Sequence, residues 1–381
     1  MTSILILTLD SGSGHLAAAQ AIAAGLERRY SRAVHTRIVD LSKEVGSGPL
    51  RKSREVYRWL AGNHPQLYSL LYHSDWFLGS PEFVALLCRL LAGPTLTKIY
   101  QSAMPDLVVS VHALLNHFPE KLLRTTLSSG IPFVTVVTDM LTFHRLWINP
   151  AVDYCVVPTE QARGLAVRYG LAPERVEVLG QPALPRFAEG RVGKEVGRRE
   201  LGLDPHRPCV LITSGGDGIG RLFETARAIA SRVPAVQLIV VAGRNRALHQ
   251  RLLSTEWEVP ARIYGFVDNM PELMGVSDLV VTKAGPGTLA EAFTVGLPVI
   301  VSSYIPGQEF GNPQYVAENG AGIFLQEPVE IAQAIRELIA DPGRMHRMSV
   351  NAARLARPQA SLRIAERLIE LTQPEEAQMS K

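Results

Sequence analysis

The chain has 381 residues, 39 Lys and Arg against 36 Asp and Glu, and 46% hydrophobic residues. That length suits two domains of ordinary size, and a formal net charge of +3 is too small to imply a nucleic-acid partner. Three cysteines, Cys88, Cys155 and Cys209, lie far apart in apolar surroundings and read as buried thiols in a reduced compartment, not as a disulfide framework or a zinc site.

The first pattern is a strand, Ile4–Thr8, with no basic segment or cleavage signal before it, which argues against a secretory signal. No apolar run reaches the ~18–20 residues that span a bilayer. The expected location is cytoplasmic, or peripheral on the inner face of the cell membrane. After the first strand comes a glycine loop, Asp10-Ser11-Gly12-Ser13-Gly14-His15, and then a helix from Leu16. Further buried-strand runs are His35–Val39, Leu107–Val111, Phe133–Thr138, Tyr154–Pro158 and Val176–Leu179. Residues 180–208 are rich in Pro, Gly and Arg and lack a period, so 183–208 reads as a linker between an N-terminal domain, 1–182, and a C-terminal domain, 209–372. The second strand series is Val210–Ser214, Gln237–Ala242, Ala261–Tyr264, Leu279–Thr282, Val299–Ser302 and Gly322–Phe324, and 373–381 reads as a frayed tail. Strands alternating with helices predict parallel α/β sheets, two Rossmann-like domains in succession, with ligands at the carboxyl ends of the strands and a cleft where the sheets face each other.

The most informative stretch is residues 281–324. A strand runs into the turn Ala284-Gly285-Pro286-Gly287-Thr288, and a helix follows. Such a turn presents backbone N–H groups and the positive end of the helix dipole, which suits a phosphate. Glu291, about one helical turn beyond Gly287, has a carboxylate able to accept two hydrogen bonds from a ribose diol. Phosphate with ribose points to a nucleotide. A second glycine loop, Thr213 to Gly220, offers either phosphate contact or simple turn geometry.

Other polar residues gather at predicted strand ends. His15 stands at a helix N-terminus, where it reads either as a general base or as a solvated cap. Asp139, His112 and Gln308-Glu309 follow strands in the same way. No spacing calls for a metal. Between Leu50 and Leu91, Arg51, Lys52, Arg54 and Arg58 interleave with Tyr57, Trp59, Tyr68, Tyr72, Trp76 and Phe77. That mixture suits an anionic membrane surface, where each basic residue contributes ~1 kcal/mol, and equally suits a pair of packed helices.

These motifs together resemble GT-B glycosyltransferases, and more narrowly the monogalactosyldiacylglycerol synthases and the bacterial diacylglycerol glucosyltransferases. The resemblance covers nearly the whole chain. It includes Val109-Ser110-Val111-His112, Val136-Val137-Thr138-Asp139, His144 with Trp147, Gly180-Gln181-Pro182, Ala242-Gly243-Arg244-Asn245 and Gly265-Phe266-Val267-Asp268-Asn269-Met270. It is most specific from Thr282-Lys283-Ala284-Gly285-Pro286-Gly287-Thr288 through Gly307-Gln308-Glu309. The chain is similar, more distantly, to the peptidoglycan N-acetylglucosaminyltransferase. It departs from the family at Ser11, Ser13 and Leu16 in the first loop and at Ser214 and Asp217 in the second. Leu16 removes a positive charge near the acceptor side, which counts against anionic-lipid activation of the plant type.

The resemblance implies a GT-B fold and hexosyl transfer, with inversion, from a UDP-sugar to 1,2-diacylglycerol, galactose favoured over glucose, with no cofactor and no metal. It implies His15 as base, with Asp139 also catalytic. The donor would be held by Gly14, Gly215, Gly216, Arg244, Phe266, Val267, Met270, Gly285, Pro286, Gly287, Thr288 and Glu291, and its hexose by Gln308 and Glu309. The acceptor side would include His112, His144 and Trp147. A helix dipole contributes only ~0.3–1 kcal/mol, up to ~2 when partly buried, so several N–H groups must share the charge of the departing UDP. A UDP-sugar epimerase, a UDP-N-acetylglucosamine transferase acting on a lipid-linked acceptor, and a binding protein without turnover remain as alternatives.

Overall fold

The structure, a computed structural model, describes residues 1–10, 12–45, 49–73, 80–127, 130–189, 193–218 and 220–373. Trp76 and Phe77 of the basic–aromatic stretch, Ser11 of the first glycine loop and the tail beyond 373 lie outside them.

The chain divides into two compact units. The first holds a sheet of β1 (Thr2–Thr8), β2 (Val34–Asp40), β3 (Leu107–Ser110), β4 (Phe133–Val136), β5 (Tyr154–Val157) and β6 (Val176–Val178). Its order is β2-β1-β3-β4-β5-β6 and every pair is parallel. The second unit holds β7 (Cys209–Thr213), β8 (Gln237–Val241), β9 (Ala261–Tyr264), β10 (Leu279–Lys283), β11 (Val299–Ser303) and β12 (Gly322–Phe324). Its order is β12-β11-β10-β7-β8-β9, again all parallel. Helices cover such sheets on both faces, so the central strands read as unbroken apolar runs; β3, β4, β7 and β8 are buried along their whole length.

The sheet orders locate the sites. In the first sheet β1 lies between β2 and β3, so the chain departs from β1 in opposite directions, and the crevice opens at the carboxyl ends of β1 and β3. The loops there carry Gly12–His15 and Val111-His112. In the second sheet the same reversal falls between β7 and β10. The loops there carry Ser214–Gly218 and Ala284–Gly287.

Three expectations need correction. The segment expected as a linker contains a helix, Lys194–Glu200, and belongs to the second unit, which begins at Arg186. Arg198 is buried there because Asp278 and the Val276 carbonyl, distant in sequence, take its guanidinium at 2.6 and 2.9 Å. The expected C-terminal domain, 209–372, is also too long: from Gln359 onward the described residues belong to the first unit. The helix Ala360–Glu370 lies on the helix Ser13–Tyr30, its Ile364, Ala365 and Leu368 sharing a core with Ile22 and Leu26. The two backbones approach so closely that a Cβ at Gly25 would lie 2.4 Å from the Ser361 carbonyl. Finally, the helix Pro81–Ala103 is long and apolar enough to cross a membrane by length and composition, although no apolar run of that length was expected. Its Ala92, Leu96, Ile99 and Tyr100 belong to the core of the first unit, whereas Leu86, Leu87 and Leu90 are exposed. All three cysteines are free and buried, as expected.

Candidate active site

In the first unit, His15 occupies the first turn of the helix Ser13–Tyr30. Its Nδ1 is 3.0 Å from the Val111 carbonyl oxygen and 2.9 Å from Thr138 Oγ1. A carbonyl oxygen only accepts, so Nδ1 carries the hydrogen, and in the neutral ring Nε2 keeps its lone pair. Burial holds the pKa down at about 4, against the Val111 hydrogen bond, which raises it. His15 is therefore neutral near pH 7, in the tautomer that accepts a proton at Nε2.

His112 packs beside it, ring centroids 4.4 Å apart. Its Nδ1 accepts from the Leu114 N–H at 3.2 Å, capping the short helix Ala113–Leu115. Burial, and then the neighbouring His15, push its pKa well below the usual value. His144 does the same work for Arg145–Trp147, accepting from the Leu146 N–H at 3.1 Å. These two expected acceptor-side residues are thus tied into local backbone. Trp147, with its centroid 5.9 Å from that of His15, donates its indole N–H to Asp139 Oδ2 at 2.7 Å. Asp139 is buried, and its Oδ1 accepts from Gln308 Nε2 at 2.8 Å. Pro306–Gln308 cluster with the first unit. Both oxygens of Asp139 are engaged by donors, so its geometry fits positioning better than proton abstraction. Gln308 Oε1 in turn accepts from Tyr68 Oη at 3.2 Å.

The basic–aromatic stretch forms the helices Ser53–Asn63 and Pro65–His73. The first of them is fastened to the glycine loop: Ser53 Oγ donates to the Asp10 carbonyl at 2.9 Å and Arg54 pairs with the Asp10 carboxylate at 3.3 Å. A Cβ at Gly12 would lie 3.2 Å from the Tyr57 ring. Val56, Trp59, Leu67 and Leu70 are exposed on these two helices.

In the second unit, the loops after β7, β8, β10 and β11 converge. The helix Pro286–Val295 starts without a side-chain cap. Of its expected N–H donors, Pro286 has none, and the Gly285 N–H is bonded to the Lys283 carbonyl at 2.7 Å. Gly287 and Thr288 remain as the N–H donors of this turn, correcting the expectation for Gly285 and Pro286. Gly287 faces open space. Glu291 lies on the same helix and is partly buried; burial pushes its pKa up to about 8.

The loops after β7 and β8 are locked together. The Arg244 N–H donates to the Gly216 carbonyl at 2.8 Å, and Gly243, with φ +62°, approaches so closely that a Cβ would lie 2.6 Å from that oxygen. No other residue fits there. The Arg244 guanidinium stacks on the Phe266 ring, 3.9 Å from its centroid, and Phe266 is exposed. Met270 begins the next helix, Met270–Val276, and Val267 lies three residues before it, so the residues expected at the base sit together after β9.

Gln308 and Glu309, expected to share a role, have separate partners. Glu309 is buried, pairs with Lys283 Nζ, and accepts from the Ile305 N–H at 2.9 Å. Thr138 and Lys283 were noted only within motifs and Ser214 only as a departure from the family, none of them with a role in the site. Lys283 carried one signal, as a charge ending an otherwise apolar strand. Among the described residues no group of three or more His, Cys, Asp and Glu is placed to hold a metal ion.

Known proteins place this arrangement. Residues 15–183 match the family profile described as monogalactosyldiacylglycerol (MGDG) synthase, and residues 209–364 match the glycosyltransferase family 28 C-terminal domain. A probable monogalactosyldiacylglycerol synthase 2, chloroplastic, of Oryza sativa subsp. japonica is 37% identical over 97% of this chain and 81% of its own length. The monogalactosyldiacylglycerol synthase, chloroplastic, of Spinacia oleracea is 37% identical over 97% of this chain and 72% of its own. Among solved structures, Anabaena HepE in complex with UDP-glucose superposes with a TM-score of 0.58 at 18% identity, covering 97% of this chain and 100% of that one. The S. aureus MnaA–UDP co-structure gives 0.62 at 16%, covering 97% and 95%. At such identities these two speak to the fold alone, the two-domain GT-B arrangement expected from the motifs. The sequence relatives go further: the chain belongs to the monogalactosyldiacylglycerol synthase family of glycosyltransferases.

Proposed function

We propose that this chain transfers a galactosyl group from UDP-galactose to the free hydroxyl of 1,2-diacylglycerol, with inversion. The observation that carries the reading is His15, whose Nδ1 hydrogen is committed to Val111 and whose Nε2 is left as a proton acceptor at neutral pH. The acceptor hydroxyl gives its proton to Nε2 as its oxygen bonds to the anomeric carbon. The bond from that carbon to the diphosphate oxygen breaks on the opposite face, and UDP leaves with the electron pair. In the second unit, the N–H groups of Gly287 and Thr288 receive phosphate oxygens, Glu291 receives the ribose hydroxyls, and Phe266 with Arg244 forms one wall for the base. These roles rest on the open helix N-terminus and on the placement of those side chains around it.

Galactose is favoured by the relatives, which are named for a monogalactosyl product. A lipid acceptor agrees with the exposed Val56, Trp59, Leu67 and Leu70 beside the His15 loop, flanked by exposed Arg51 and Lys52. Such a face suits peripheral attachment to an anionic membrane, which we place on the cytoplasmic side. The test is to offer UDP-galactose and UDP-glucose separately with diacylglycerol and to read the anomeric configuration of the lipid product by NMR. The account predicts a β-linked galactolipid from the α-linked donor. An α-linked product would overturn inversion, and preferential use of UDP-glucose would overturn the choice of sugar.

A further inference from the structure

The second glycine turn and the helix N-terminus leave a chemical gap. On the proposed reading two N–H groups receive a diphosphate that carries two or more negative charges, while the cation already named at this site, Arg244, has its guanidinium stacked on Phe266. Lys283 stands at this place. It is the last residue of β10 and is mostly buried, with 15% of its side chain exposed. A Cβ at Gly285 would lie 3.2 Å from its Nζ, and a Cβ at Gly215 would lie 4.0 Å from its Cε. One ammonium is thus bracketed by both turns. Its setting is irregular: β10 and β11 pair in register up to Thr282 with Val301, then Lys283 pairs with Ser303, leaving Ser302 as the extra residue of a bulge. Bulges of this kind redirect the side chains around them.

A second observation is independent of the first. Ser214, at the carboxyl end of β7, is 6% exposed, and its Oγ is buried without a hydrogen-bond partner. Native proteins satisfy buried hydroxyls, so an acceptor or donor is missing at this spot. β7 and β10 are neighbours, with Ile212 beside Val281. Two residues further along, that register brings Ser214 alongside Lys283.

We propose that Lys283 and Ser214 form a diphosphate clamp, and that Lys283 exchanges partners when the donor binds. Without donor, the ammonium is held by buried Glu309, whose other oxygen accepts from the Ile305 N–H. When the diphosphate enters, Lys283 turns to it and Ser214 Oγ donates to a phosphate oxygen. Glu309, released from the ion pair, is then an acceptor for hydroxyls of the hexose. The clamp supplies the charge that the helix N-terminus alone does not, and it couples phosphate capture to readiness for the sugar. This inference rests on the nucleotide-sugar reading of the site.

Calorimetry on the full chain tests it, with UDP, uridine and inorganic pyrophosphate as probes. Lys283→Met alone would strand the buried Glu309 charge, so the informative variant is Lys283→Met with Glu309→Gln. The double variant should bind UDP and pyrophosphate about 10- to 100-fold more weakly than wild type, the loss of one charged hydrogen-bonding partner, with uridine affinity unchanged within about twofold. Glu309→Gln alone frees the ammonium and should bind pyrophosphate at least as tightly as wild type. Ser214→Ala should lose about 3- to 10-fold for UDP. UDP binding by the double variant within twofold of wild type, or an equal loss for uridine, would overturn the clamp. Should wild type bind pyrophosphate through Lys283 yet bind UDP no more tightly than pyrophosphate, the nucleotide reading would fall while the clamp stood.

Discussion

Glu291 gives the sharpest quantitative prediction. Its carboxyl sits on the helix Pro286–Val295 with a pKa raised to about 8 by burial. A ribose diol donates two hydrogen bonds and therefore favours the ionised carboxylate. At pH 7 roughly nine-tenths of Glu291 is protonated in the free protein, so binding uridine should release about 0.9 of a proton. Affinity should rise about fivefold between pH 7 and pH 8, below the range in which the uracil N3–H of the probe itself ionises. Uridine is the proper probe because it has the diol and no titrating phosphate. Calorimetry in buffers of different ionisation enthalpy reads the proton directly.

Folding stability should move the opposite way. The unfolded carboxyl ionises near 4.5 and the folded one near 8. The stability linked to this proton is therefore complete below about pH 4.5 and is lost as pH rises through about 8. After allowing for the part of the side chain that meets solvent, the loss is on the order of 2 kcal/mol at pH 7. Glu291→Gln should thus raise Tm at pH 8 relative to wild type, leave it unchanged at pH 4.5, and weaken uridine binding throughout. Binding without proton release, together with flat affinity from pH 6 to 8, would refute the reasoning and remove Glu291 from the ribose.

Other outcomes follow from the first unit. His15→Ala should lower kcat by roughly 10²–10⁴-fold. In wild type the limb due to His15 should appear near pH 4, activity being present above it and lost below, so a kcat/KM profile with a histidine inflection near 6.5 that vanishes in the variant would contradict the partly buried, neutral ring. Trp147→Phe removes the donor to buried Asp139 Oδ2 and should destabilise the protein by ~1–3 kcal/mol, read by urea denaturation at neutral pH. Leu70→Glu together with Trp59→Glu places charge on an exposed apolar face and should weaken sedimentation with anionic vesicles severalfold while leaving UDP affinity unchanged; undiminished sedimentation would move the membrane contact elsewhere.

The two sheets were legible because parallel strands buried on both faces must be apolar throughout. Ile4–Thr8, Val210–Ser214 and Leu279–Thr282 announce themselves without knowledge of their neighbours, and the glycine loops between strand and helix are local signals too. What the sequence withheld depends on contacts between distant residues. Arg198 looks like part of a solvated linker until Asp278 is placed beside it. The helix Ala360–Glu370 shows its apolar stripe, but nothing in the stripe says that it covers Ile22 and Leu26 in the other half of the chain. His112 reads as a site residue because it follows a strand, and His144 because the family resemblance includes it; the structure adds that their Nδ1 atoms accept backbone N–H groups two residues on. Lys283 and Glu309 lie 26 residues apart, and only the adjacency of β10 and β11 makes them a pair.

The central claim is transfer of a hexose from UDP to diacylglycerol. It is tested most directly by incubating the purified chain with UDP-galactose labelled in the sugar and vesicles containing diacylglycerol, then measuring label in the lipid phase. The account predicts lipid-soluble label that depends on diacylglycerol, comigrates with monogalactosyldiacylglycerol, and falls at least a hundredfold in His15→Ala. Label recovered only as an epimerised nucleotide sugar, or bound to protein with no lipid product, would contradict it.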